Sequence, residues 1–136
     1  MGVAESRGGK PMNWTATAAI VLALAVCIGA FGAHGLQNRL DPYSLSVYEK
    51  GVFYHFIHAL GLLAVPLLVR AGLISESAGT WTGWLLLAGI VLFSGSLYVL
   101  AITGIRTLGA VTPFGGAAFI AAWVTLAVCA LRTRGH

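Results

Sequence analysis

The chain has 136 residues, of which 58% are hydrophobic and only 9% charged, against about 25% charged in an ordinary soluble domain. A soluble domain of this length buries a core but cannot hide that much apolar surface, and too little chain is left for a separate soluble domain beside a membrane bundle. The formal net charge is +4, yet the basic residues sit at run ends and in connecting segments, so they read as topology signals and exclude a nucleic-acid patch.

Four apolar runs follow one another: Trp14–Leu36, Tyr48–Val69, Thr80–Thr103 and Pro113–Leu131. Each offers, within a residue or two, the about 20 apolar residues that a helix needs to cross a ~30 Å hydrocarbon core. The expected fold is all-α: a polytopic integral membrane protein, a single bundle of four transmembrane helices over residues 13–132. Helices are expected at about 14–36, 42–70, 80–103 and 113–131. Residues 1–12 are polar and Gly-rich and read as a disordered cytoplasmic tail, and 133–136 as a short C-terminal tail.

At the N-terminus, Arg7 and Lys10 before an apolar stretch resemble a signal peptide. The stretch is longer than a signal core, and Leu24-Ala25-Val26-Cys27 puts Val26 where lipidation wants a small residue. An uncleaved first helix is expected. It carries Ala25, Gly29 and Ala33 at four-residue spacing, with Gly32 and Gly35 beside them. Small residues at this spacing let backbones approach closely, which matters where lipid supplies no hydrophobic drive for association.

Asp41-Pro42 is a helix start, because Asp caps free N–H groups and Pro suits the first helical position. The second helix therefore begins before the membrane, with Tyr43 and Tyr48 in the interfacial zone that Tyr favours. His55 and His58 follow, three apart on one helical face. Pro66 removes one backbone hydrogen bond and predicts a bend near Leu62–Pro66.

The third helix carries Ser94-Gly95-Ser96, Tyr98 and Thr103. Serine hydroxyls bond back to carbonyls one turn earlier or reach a neighbouring helix, so packing and substrate contact are both open readings. Arg106 lies in the short loop that follows, in reach of headgroups or of Asp41. Thr112-Pro113 repeats the helix-start device. The fourth helix then carries Gly115, Gly116, Ala117, Ala118, Ala121 and Ala122. These stripes, Gly95 included, read as bundle packing, with a homo-oligomer face as the alternative. Cys27 and Cys129 differ in depth by on the order of 15 Å, which no disulfide spans.

With four spans, both tails and the middle loop share one side. That side holds Arg7, Lys10, Arg70, Arg132 and Arg134, and the other holds Arg39, Lys50 and Arg106. The balance places both termini in the cytoplasm.

The polar residues of the spans gather toward the opposite, non-cytoplasmic half: His34, Tyr54, His55, His58, Ser94, Ser96, Tyr98 and Thr112. An ionisable residue inside a membrane is a functional candidate by default. Three histidines suit a transition metal, and two on different helices suit haem iron. The competing reading is neutral histidines hydrogen-bonded across helices to Tyr, Ser or backbone groups; a proton- or solute-handling role is the third.

The segment Gly29-Ala30-Phe31-Gly32-Ala33-His34 resembles the GAFGAH signature of the YgdD/YwdK family of small bacterial inner-membrane proteins, to which eukaryotic transmembrane protein 256 is related. Leu92-Phe93-Ser94-Gly95-Ser96-Leu97-Tyr98 and Val111-Thr112-Pro113-Phe114-Gly115-Gly116 match in order and at compatible spacing, as does Tyr54 to His58. The resemblance covers about residues 14–131. It implies a four-helix protein of the bacterial plasma (inner) membrane and brings no assigned activity. It also implies that His58 matches a family histidine while His55 falls where relatives carry residues such as Gln, leaving His34 with His58 as the pair to watch.

No nucleophile–base motif, phosphate loop or dinucleotide fingerprint is present. The expected function is that of a non-enzymatic structural or accessory membrane protein without a cofactor. Its partners are the lipid bilayer and a second copy or a membrane complex, with no nucleic acid. One alternative is a protein binding haem, a metal or a quinone through His34 and His58, with Tyr98 beside them. The other is an oligomeric channel or carrier.

Overall fold

The computed structural model describes residues 12–134. The expected N-terminal tail lies outside the described residues but for Met12, as do 135–136. Five α-helical segments build four spans: α1 (Trp14–Phe31), α2 (Pro42–Arg70), α3 (Glu76–Gly89), α4 (Gly95–Thr103) and α5 (Thr112–Arg134). A wide π turn, Gly32–Leu36, prolongs α1, and a second, Ile90–Ser94, joins α3 to α4 into one continuous third span. No strand occurs among the described residues.

Helix starts follow their capping residues. The Asn13 side chain accepts from the Ala16 N–H at 3.0 Å, and the Asp41 carboxylate accepts from the Ser44 N–H at 3.3 Å, with Pro42 in the first helical position. Ser75 accepts from the Ala78 N–H at 3.1 Å. That cap starts the third span at Glu76 and not near Thr80, because a serviced N-terminus extends a helix beyond its apolar run. The fourth helix likewise runs past residue 131 to Arg134, so 133 and 134 are helical. Two spans end at glycines in the left-handed region, Gly72 (φ +75°) and Gly104 (φ +74°), where a side chain would be strained. α2 continues through Pro66 to Arg70 without a break.

α1 packs on α2, α2 on the third span, and α3 on α5. One core cluster joins Trp14, Ala18, Val21, Ala59, Leu62, Val65, Leu86, Ile90, Phe119 and Ala122. A second, nearer the Asp41 loop, joins Leu36, Val47, Tyr48, Leu97 and Ala101. The outside is apolar as well: Ile20, Leu24, Val91, Ile120 and Val128 are all exposed. A chain that is apolar inside and out, with four helices long enough to cross a bilayer, has lipid as its solvent.

The small residues divide into those that pack and those that do not. Ala25 and Ala122 are fully buried. A Cβ on Gly32 would collide with the Tyr48 ring, and one on Gly115 with the Phe93 backbone. Gly29 meets Val52, Gly116 only grazes the Phe93 ring, and Ala118 is half-buried. Two expectations are corrected. Ala33 is exposed, because a helix of 3.6 residues per turn returns to the Ala25 face at Gly32, seven residues on, and leaves Ala33 about 80° off that face. Gly95 has nothing within 4 Å of where its Cβ would stand and faces open space. Four glycines that the four-residue stripes did not single out take aromatic rings: Gly51 takes Tyr98, Gly61 takes Trp123, Gly83 takes Trp14 and Gly89 takes Phe119. Cys27 and Cys129 are both free thiols.

Candidate functional site

Buried polar groups in lipid must find partners within the protein, and the candidate side chains do so on one another and on backbone carbonyls, of neighbouring spans for His55 and Ser94 and of their own helix for His58 and Ser96. His55 is buried in α2 between α1 and α4. Its Nε2 lies 3.0 Å from the Val21 carbonyl oxygen, and its Nδ1 2.8 Å from the Tyr98 hydroxyl. A carbonyl only accepts, so Nε2 carries the hydrogen of the neutral ring, and Nδ1 accepts from the Tyr98 O–H. One imidazole thus ties three spans together.

Two further ties lie toward the Asp41 loop. The Tyr48 hydroxyl donates to the Ile28 carbonyl at 2.6 Å, linking α2 to α1. The Ser94 hydroxyl, fully buried in the second π turn, donates to the Gly51 carbonyl at 2.7 Å, linking the third span to α2. Tyr48 and Tyr98 pack tilted, with ring centroids 5.2 Å apart. Gly51 makes room for this: a Cβ there would stand 2.7 Å from the Tyr98 ring. Ser96 donates to the Phe93 carbonyl at 2.9 Å, which leaves the Thr112 hydroxyl as donor in the 2.6 Å Ser96–Thr112 bond joining the third span to α5.

His58 belongs to a different group. Its Nδ1 lies 2.8 Å from the Tyr54 carbonyl oxygen one turn back in α2, so Nδ1 carries the hydrogen. The ring stacks on Phe119 of α5 at 3.5 Å between centroids and 12° between planes. Tyr54 lies parallel to it at 5.9 Å and tilts against Phe93 at 4.5 Å. The two α2 histidines therefore serve different neighbours. Three residues along a helix turn the direction by about 60°, and on a helix flanked by three spans that angle separates one partner from the next.

The predicted polar cluster is thus two sets, His55–Tyr98–Ser94 with Ser96–Thr112 beside it, and Tyr54–His58 among aromatic rings. His34 joins neither: it is exposed in the first π turn. Gly32 faces Tyr48, so His34 lies at or above the level of Tyr48, whereas His58 is about ten residues deeper along α2, on the order of 15 Å of helix rise. Two ligands of one metal each lie about 2 Å from it. The His34–His58 pair accordingly cannot hold haem or a metal within one copy. Among the described residues no group of three or more His, Cys, Asp or Glu is placed to share an ion.

Sequence reasoning missed Tyr48, Gly51 and the Val21 and Ile28 carbonyls. The first two had a signal, a Tyr and a Gly at three-residue spacing facing a third-span Tyr; the carbonyls had none. It also missed Thr82, fully buried in α3, whose hydroxyl has no partner among the described residues.

A family model described as "Protein of unknown function (DUF423)" matches residues 28–116. The chain is 51% identical over 114 residues to the UPF0382 membrane protein YwdK of Bacillus subtilis, covering 84% of this chain and 92% of that protein. It is 51% identical over 105 residues to a UPF0382 membrane protein of Staphylococcus saprophyticus, covering 77% and 85%. With one from Staphylococcus epidermidis it shares 47% over 112 residues, covering 82% and 89%. No solved structure matches. The family match takes in His55, Ser94, Tyr98 and Thr112 and stops short of Val21 and Phe119.

Proposed function

The chain belongs to the DUF423 family of small membrane proteins, and on that premise we propose that it is a non-enzymatic structural or accessory protein of the bacterial inner membrane. Both termini face the cytoplasm, and the His/Tyr/Ser residues fix how the spans pack. The observation that carries this reading is the double engagement of His55, which donates to Val21 and accepts from Tyr98. With Ser94 committed to the Gly51 carbonyl and Ser96 to Thr112, the hydroxyls and the imidazole that chemistry would need are spent on holding helices. Core side chains Leu62, Val65 and Leu86 fill the middle of the bundle, which argues against a pore through a single copy.

The test is purification in mild detergent, with the visible spectrum and metal content read on the same sample as thermal unfolding. The expected result is a colourless, metal-free protein whose His55→Ala and Ser94→Ala variants unfold at lower temperature. A Soret band or stoichiometric metal, or two variants as stable as the wild type, would overturn the proposal. A reporter fused after residue 136 should be active only in its cytoplasmic form.

A further inference from the structure

The loops that join the first span to the second and the third to the fourth frame an open cleft of about 620 Å³. Asp41 and Ser44, at the start of α2, line one side of it. Arg106, in the single turn of 3-10 helix between α4 and α5, lines another. Its remaining wall includes Val47, Leu100 and Ala101, of which Val47 and Ala101 belong to the second core cluster. The cavity therefore runs from a charged rim at the helix ends to an apolar wall at the edge of the spans. Asp41 and Arg106 share it without forming an ion pair: the carboxylate is held by Ser44, and no charged side chain acts on it. Two opposite charges kept apart across one cleft complement a ligand that carries both.

We propose that this cavity binds the headgroup of a zwitterionic phospholipid with a primary ammonium, the phosphate on Arg106 and the ammonium on Asp41. Guanidinium matches phosphate in geometry as well as charge. A carboxylate that takes N–H donors favours a primary ammonium over a quaternary one, which has none. The apolar wall singles out a lipid over a free zwitterion, because it continues the cleft toward where acyl chains lie. The same arrangement recurs at the opposite end. A cavity of about 550 Å³ there is lined by Arg70 and Glu76, with Trp14 and Trp84 beside them. A lipid present in both leaflets accounts for both; a solute drawn from one compartment accounts for one.

The experiment uses the full chain. It is extracted from vesicles containing equal phosphatidylethanolamine, phosphatidylcholine and phosphatidylglycerol, and retained lipid is counted by native mass spectrometry. Wild type should retain the ethanolamine lipid about tenfold over either competitor, the scale of one charge-assisted hydrogen bond. Asp41→Asn keeps the helix cap and should erase the preference over the choline lipid. Arg106→Gln should lower retention of all three. Arg39→Gln, which does not line the cavity, should behave as wild type. Equal retention of the three lipids by wild type overturns the proposal, as does a preference unchanged in both cavity variants at unaltered thermal stability. Saturation by soluble glycerophosphoethanolamine, with no lipid preference, would assign the cavity to a free zwitterion and overturn the lipid reading.

Discussion

The Tyr98 hydroxyl donates to His55 Nδ1 at 2.8 Å, and the direction of that bond is set from the other side of the ring, where Nε2–H donates to the Val21 carbonyl at 3.0 Å. The tautomer is thus dictated by a backbone oxygen in α1, and Tyr98 has one role open to it. The two contacts are coupled, because turning the ring breaks both.

That coupling is measurable as a double-mutant cycle on unfolding in detergent. Interhelical hydrogen bonds in membrane proteins average about 0.6 kcal/mol and reach about 1.7. Tyr98→Phe should lie in that range. His55→Phe should cost about twice as much, since it removes both bonds and leaves the Tyr98 hydroxyl unpaired. The double variant should be less destabilised than the sum of the two. Strict additivity would mean that the two residues do not form one unit.

Ser94→Ala removes the donor to Gly51 and should cost about 0.5–1.5 kcal/mol. His34→Ala removes an exposed side chain outside both polar sets and should stay within about 0.5 kcal/mol of wild type. Chemical unfolding of the two variants side by side checks this. A His34 variant as destabilised as Ser94→Ala would give His34 a partner that the bundle geometry does not supply.

The glycines offer a paired comparison. A methyl group on Gly115 meets the Phe93 backbone, which cannot yield as a side-chain tip can, so Gly115→Ala should cost about 1–3 kcal/mol. Gly95 faces open space, so Gly95→Ala should be neutral or should gain up to about 1 kcal/mol in helix propensity. Thermal midpoints of the two variants should move in opposite directions or at least differ clearly. Equal losses would contradict the packing of the third span against α5.

Hydrogen bonds from Ser44 hold the Asp41 carboxyl below its ordinary value of 3.8. A carboxylate whose value is lower folded than unfolded stabilises the folded form above the unfolded value, and the contribution fades as pH falls through the folded one. The first turn of α2 should therefore fray at acid pH, seen as a loss of protection of the Ser44 amide, relative to its intrinsic exchange rate, below about pH 4. In Asp41→Asn, whose amide caps without titrating, that pH dependence should vanish. Protection that falls equally in both proteins would place its origin elsewhere.

What the sequence determined by itself is what depends on local chemistry and on the solvent. Four runs of apolar residues, about as long as a bilayer is thick, allow only helices, because every backbone group must be satisfied within its own segment. Asn13, Asp41-Pro42 and Ser75 are starts that a local hydrogen bond decides, although the Ser75 cap lay hidden five residues before its apolar run. The gathering of His55, Ser94, Tyr98 and Thr112 at one end was equally legible, since alternating chain direction brings those stretches together. The tertiary structure alone decided which neighbour each side chain meets. His55 turns to Val21 and Tyr98 while His58, three residues on, turns to Phe119. Ala33 is exposed and Gly95 faces open space, while Gly32 and Gly115 close on Tyr48 and Phe93 of other spans. Helical spacing fixes a residue's direction only relative to its own helix axis. The partner, and often a carbonyl oxygen that no side-chain pattern marks, is fixed by how the four axes are rotated against one another.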